Sequence, residues 1–267
     1  MRRLLTWIVI LYCGALAAVW FGRFKLIYPF SPTRVAPIAA GLPAVRETVF
    51  DSFDGTKLIV WSAKARKGKA TIVYFHGNAG NLANRAQRFD RLLKRGYGLV
   101  AMGYRGSSGS QGTPDQKDMM RDSAYLIENI ERIGTSKNAT LVYYGESLGT
   151  GVASQLAVTH PPKALILEAP FKSITDLAAS QMPFFPIQTI LDQRWDTLDI
   201  IQQSQAPLLV LHGQNDSLIP YNHGESVFSR SGSNTKELHI LPEGTHHNLW
   251  SVKGQKIIYK FLGNHVN

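Results

Sequence analysis

Hydrophobic and polar positions follow two rhythms along this chain, and the two take turns. Ala70–Phe75, Leu99–Tyr104, Leu141–Tyr144, Ala164–Glu168 and Pro207–Leu211 are short runs, nearly all apolar and rich in Val, Ile and Leu. Apolar runs of that length, bounded by turn residues, predict strands covered on both faces. Val45–Val49 and Lys57–Trp61 flank the turn signal Phe53, Asp54, Gly55 and predict a strand pair, while Glu237–Leu241 predicts a last strand. Between the strands, apolar residues spaced three or four apart predict helices over Leu82–Arg95, Pro114–Ile133, Gly149–Thr159 and Trp250–Phe261. Alternation of this kind builds an α/β domain: a mostly parallel central sheet of about eight strands with helices on both faces.

Two stretches depart from the rhythm. Leu4 to Gly22 is an apolar run of about 19 residues, roughly 28 Å long as a helix, close to the hydrocarbon thickness of a bilayer. No charge interrupts it, and Trp7, Trp20 and Phe21 lie towards its ends, where interfacial aromatics belong. A cleavage site at Ala15–Ala17 is disfavoured because the apolar run continues through Val19–Phe21. Lipidation at Cys13 is disfavoured by the bulky Tyr12 before it. The expectation is a membrane anchor over residues 1–24. Arg2, Arg3 and the α-amino group slightly outweigh Arg23 and Lys25, which puts the remainder of the chain on the extracytoplasmic side. Pro29, Pro32, Pro37 and Pro43 make 25–44 a linker, leaving 45–267 as the folded domain. The second departure is 170–206, too long for a simple connection and centred on Met182–Pro186; it predicts a small cap over a site.

Composition narrows the field. One cysteine excludes an intramolecular disulfide and a cysteine-based zinc cluster. The net charge is +10, but the cations are scattered apart from Lys64–Lys69 between two predicted strands, which reads as a solvated hairpin tip. No nucleic-acid motif accompanies them, so nucleic acid is set aside as a partner.

The chemistry sits in Gly145-Glu146-Ser147-Leu148-Gly149, a G-x-S-x-G pattern with a strand before it and a helix after. Such an elbow presents one hydroxyl in a sharp turn between glycines. By composition alone the pattern should occur about 0.1 to 0.2 times in a chain this long. A serine becomes a nucleophile only when a base takes its proton and a carboxylate orients that base. Asp216 follows the Pro207–Leu211 strand, where a carboxylate can reach sideways. Two histidines, His246 and His247, follow the Glu237–Leu241 strand, and their residue types do not choose between them. Oxyanion donors are expected from the backbone N–H groups of Leu148 and of Asn78, the latter in the glycine-bearing loop His76–Asn81. His76 itself reads as a structural side chain behind that loop. No metal cage and no nucleotide loop is legible, and no cofactor is expected.

With these pieces in place the chain resembles the α/β-hydrolase superfamily, and most of all a membrane-anchored branch of serine hydrolases related to prolyl-oligopeptidase-type peptidases. The resemblance covers most of the chain after residue 25. It rests on Lys25–Pro29, Tyr74–Asn81, Gly103–Gly106, Gly145–Thr150, Ala206–Gly213 with Asp216, and His247 with Asn248. It implies an α/β-hydrolase fold with Ser147 as nucleophile, Asp216 as orienting acid and, because an asparagine follows it, His247 as base. Gly103 departs from the family, whose members usually carry a polar residue there, so a local contact near Tyr104 is expected to be missing. The implied reaction is acyl transfer through an acyl-enzyme, without a cofactor. An ester or thioester of a small or lipid-like acyl group is the leading substrate class. Serine aminopeptidase action on short peptides, and a non-catalytic anchored binding module, are the alternatives.

Overall fold

The computed structural model describes residues 1–266, apart from the side chain of Val252. Its strands are β1 (Arg46–Asp51), β2 (Lys57–Ala63), β3 (Thr71–Phe75), β4 (Gly98–Met102), β5 (Leu141–Glu146), β6 (Ala164–Glu168), β7 (Leu208–Gly213) and β8 (Lys236–Leu241). They form one eight-stranded sheet in the order β1-β2-β4-β3-β5-β6-β7-β8. Strand β2 runs antiparallel to both its neighbours, and every pairing from β4 to β8 is parallel. From β3 the chain moves outwards to β4 and then returns to the other side of β3 for β5. The carboxyl ends of β3 and β5 therefore meet at a point where the winding reverses, the usual place for a site in an open α/β sheet.

The helices are α1 (Arg2–Ile27), α2 (Ala86–Lys94), α3 (Gln116–Glu128), α4 (Leu148–Thr159), α5 (Ile174–Gln181), α6 (Ile187–Ile190), α7 (Thr197–Ile200), α8 (Asn222–Arg230) and α9 (Gln255–His265). Strand residues alternate between two cores, as a pleated sheet requires. Val73, Phe75, Tyr143 and Leu165 pack with Met119 and Leu126 of α3 and Val152 and Leu156 of α4. Ile72, Tyr74, Tyr144 and Ile166 pack on the other face with Phe89 and Leu92 of α2 and Phe261 and Leu262 of α9. Removing one of these large buried side chains costs about 2–5 kcal/mol, which is why the central strands carry so little polar residue.

Helix α1 is long and apolar enough to cross a membrane, and no residue of its most apolar window is fully buried. It runs through Ile27, beyond residue 24, because the first helix-breaking residue is Pro29. Its far end is joined to the domain: Ile27 and Tyr28 are buried, and Tyr28 takes part in a chain in which Trp195 Nε1 donates to its hydroxyl at 2.9 Å and that hydroxyl donates to Gln193 at 2.7 Å. The 170–206 stretch, between β6 and β7, carries α5, α6 and α7. Within it Phe185 stacks on Tyr12 of α1 at 5.8 Å, whereas Phe184 is 85% exposed.

Candidate active site

The turn from β5 into α4 is as tight as its glycines suggest. A Cβ on Gly149 would stand 2.0 Å from the Phe75 carbonyl oxygen, and one on Gly145 would stand 2.6 Å from Thr150 Cα. Neither position admits a side chain, because strand and helix backbones pass in contact there. Between them Ser147 takes φ +50° and ψ −118°, a conformation that costs a non-glycine residue about 1–3 kcal/mol. Packing holds it: Ser147 N donates to the Glu168 carbonyl at 2.9 Å, and Thr150 Oγ1 donates to the Ser147 carbonyl at 2.6 Å.

Asp216 arrives on the loop after β7 with its carboxylate fully buried. Its Oδ1 accepts from the N–H groups of Leu218 at 3.0 Å and Ile219 at 2.8 Å. Burial alone would raise this carboxyl, but the bonds from His212, His246 and the Ile219 N–H outweigh it and hold the group well below the usual carboxylate range.

The histidine at the serine is His246, which corrects the expectation of His247. Ser147 Oγ donates to His246 Nε2 at 3.0 Å, and the Nδ1–H of His246 donates to Asp216 Oδ2 at 2.8 Å, a tautomer fixed by the carboxylate. The physical reason lies in Asn248. Its side chain folds back, accepting from Thr245 N at 2.7 Å and donating to the Glu243 carbonyl at 3.2 Å. The loop is thereby curled so that His246 faces the elbow. His247 turns outwards, edge-on to His246 with ring centroids 5.1 Å apart, and lines a polar cavity of about 440 Å³ with Arg85, Arg88, Glu146 and Trp250. The asparagine that singled out His247 in the sequence serves the loop backbone instead.

Asn78 and Leu148 border a second, apolar cavity of about 400 Å³ together with Ser147. The Asn78 side chain donates to the Ile27 carbonyl at 3.2 Å, tying the loop after β3 to the end of α1. Behind that loop His76 is buried against Tyr104, with ring centroids 4.2 Å apart. Burial, aided by the Arg85 charge, pushes His76 down to about 3, so it stays neutral. A Cβ on Gly103 would lie 2.8 Å from Ser108 Cβ and 3.0 Å from the Ser107 carbonyl oxygen. The serines fill the space a polar side chain would need, and the buried Tyr104 hydroxyl has no partner among the described residues.

Sequence reasoning passed over a charge network that joins the two loops. Arg85 donates to Glu146 at 3.0 and 3.2 Å and to the Ala79 carbonyl at 2.6 Å. Tyr74 donates to the same Glu146 carboxylate at 2.7 Å. Burial would raise Glu146, yet the Arg85 and Arg88 charges overcome it and keep the carboxyl well below its ordinary range. Arg88 in turn pairs with Glu168 at 2.8 and 3.0 Å, and Tyr144 donates to Glu168. The one available signal was Glu146 itself, an acid placed beside Ser147 at the end of a buried strand.

Residues 66–200 and 187–250 match the family profile described as serine aminopeptidase, S33. An uncharacterised protein of Mycobacterium tuberculosis, MT2364, is 30% identical over 237 residues, covering 88% of this chain and 84% of that one. The lysophosphatidylserine lipase ABHD12 of Danio rerio is 32% identical over 191 residues, covering 63% of this chain and 49% of that protein. Among solved structures, the Pyrococcus furiosus esterase Pf2001 superposes with a TM-score of 0.72 at 17% identity, covering 90% of this chain and 97% of that one. These matches speak for the superfamily as a whole and single out no prolyl-oligopeptidase-type branch. A strand–elbow–helix built around Ser147, on a sheet of this order and with these relatives, identifies the chain as a member of the α/β-hydrolase superfamily and as a hydrolase.

Proposed function

We propose that the protein is a membrane-tethered serine hydrolase that cleaves carboxylic ester or thioester bonds of acyl lipids. The observation that carries this reading is the line from buried Asp216 through His246 to Ser147 Oγ, with bonds of 2.8 and 3.0 Å, ending at the rim of an apolar cavity. In the proposed reaction Ser147 Oγ attacks the acyl carbonyl while His246 Nε2 takes the hydroxyl proton, and Asp216 stabilises the resulting imidazolium. The N–H groups of Asn78 and Leu148 receive the oxyanion. Collapse expels the alcohol or thiol, which takes the proton from His246. Water, deprotonated by the same imidazole, then releases the acid and restores Ser147. Helix α1 holds the enzyme in the bilayer, with Arg2 and Arg3 at the cytoplasmic face and the catalytic domain on the other side.

A second reading, aminopeptidase action, is favoured by the description of the matching family profile. Such an enzyme needs an anionic group for the α-amino end of its substrate. Among the described residues that line it, the cavity at Ser147 offers one charged side chain, the cation Arg23, and no carboxylate. Its wall of Leu, Ile and Met suits an acyl chain, in keeping with the lipase relative. The test is labelling of the full-length protein in detergent with a fluorophosphonate, followed by p-nitrophenyl esters against aminoacyl anilides. Labelling abolished in Ser147→Ala, with ester turnover well above anilide turnover, is the expected result. A folded wild type that resists the probe returns the protein to a binding role, and anilide turnover above ester turnover makes it a peptidase.

A further inference from the structure

The cavity beside Ser147 has two walls of different origin. One is the insertion, with Leu177, Met182 and Ile187. The other is α1 itself, which contributes Val19, Arg23, Leu26 and Ile27. A helix serving only to hold the protein at a membrane has no reason to border the nucleophile. Three further attachments keep it there. Arg23 grips Asp192, just beyond α6, through two bonds of 2.8 and 3.1 Å. Its guanidinium also lies 3.8 Å over the Trp20 ring, so the one cation in the cavity is paired and covered. At the carboxyl end the Ile27 carbonyl accepts from Asn78, next to the nucleophile. Towards the amino end Tyr12 donates to the Phe184 carbonyl at 2.9 Å.

The same helix is exposed over Leu4–Leu11 and apolar there at every position but Thr6. Leu11 and Val19 are separated by roughly 12 Å along the axis, within reach of one extended acyl chain. Leu11, Ala15 and Val19 follow one another at i, i+4 spacing, so an acyl chain lying beside the exposed part of α1 meets apolar side chains on its way towards the pocket.

We propose that α1 is a substrate-binding element as well as a tether: its Val19–Ile27 stretch forms one wall of the pocket for the substrate's acyl chain, held against the insertion by the Arg23–Asp192 pair, and so sets acyl-chain-length preference. This rests on the serine-hydrolase reading above and deepens it. Each methylene buried in such a pocket is worth about fourfold in kcat/KM, so space for two chain methylenes is worth about sixteenfold.

The experiment measures kcat/KM of the full-length protein in detergent micelles on p-nitrophenyl esters from acetate to laurate, with fluorophosphonate labelling counting reactive Ser147. Leu26 is 61% exposed, so a larger side chain there does not have to displace packed core. Leu26→Trp should lower the decanoate-to-acetate ratio at least about tenfold in the labelled population. Leu26→Ala should move the optimum the other way, towards longer chains, and stands in if the tryptophan variant does not label. A chain-length profile that neither substitution shifts, with Ser147 still labelled, overturns the role of α1. A wild type that neither labels nor turns over any ester overturns the parent reading instead.

Discussion

Adjacent histidines make a stringent pair of perturbations, because they share a loop and differ in what they face. In His246→Ala the Ser147 hydroxyl loses its acceptor at 3.0 Å and Asp216 loses one donor at 2.8 Å. The carboxylate keeps its bonds from Leu218 and Ile219, so the cost in folding should stay at about 1–3 kcal/mol. The cost in chemistry should be far larger. Deleting the base of a serine triad lowers kcat by about ten-thousand-fold to a million-fold, equal to about 5–8 kcal/mol of transition-state stabilisation. His247→Ala removes a side chain that has turned to the neighbouring cavity, and should leave kcat within about threefold. The assay is steady-state hydrolysis of p-nitrophenyl butyrate, normalised to total folded protein by circular dichroism. A crippled His247→Ala, or a folded His246→Ala that keeps more than about a tenth of the wild-type rate, would refute His246 as the base.

Arg85→Leu should destabilise the fold by about 3–5 kcal/mol, because it strands the Glu146 carboxylate beside Tyr74, and the loss reads as a lower denaturation midpoint. The same change frees the Ala79 carbonyl next to Asn78, so kcat should fall about tenfold to a hundredfold with little change in KM; an unaltered kcat would show that Arg85 does not position this loop. Glu146 and Asp216 both have folded values depressed below the unfolded carboxylate range, so the stability they add is complete above about pH 4 and is lost as pH falls below it. The stability difference between wild type and Glu146→Gln, followed by urea unfolding, should therefore be flat from about pH 8 to 5 and shrink only under more acid conditions. A difference already shrinking between about pH 7 and 5 would contradict the depressed value.

The sheet was legible because β3 to β7 are covered on both faces, so their sequences are continuous apolar runs that no surface element imitates. The elbow was legible because two glycines at fixed spacing answer a backbone contact that nothing else permits. Helix α8 escaped notice: Asn222–Arg230 holds Gly224 and Ser226, and only His223, Gly224 and Val227 of it are buried, which leaves little apolar stripe to detect. The choice between His246 and His247 was illegible for a different reason. It is decided by where Asn248 sends its amide, a local bond pattern that composition does not encode. The pairing of Arg85 with Glu146 spans 61 positions in the chain, and the grip of Arg23 on Asp192 spans 169. Charges that meet across such distances show in a sequence as isolated polar residues, without hint of their partner.

The bond from the Asn78 amide to the carbonyl of Ile27 gives the hydrophobic leader a mechanical part in the machine. Shortening the chain past that residue to obtain a soluble preparation would strip the amide of its acceptor and unroof the neighbouring groove in one cut. Assays on such a fragment would describe a different catalyst, and a weak result from it would say little about the full-length enzyme.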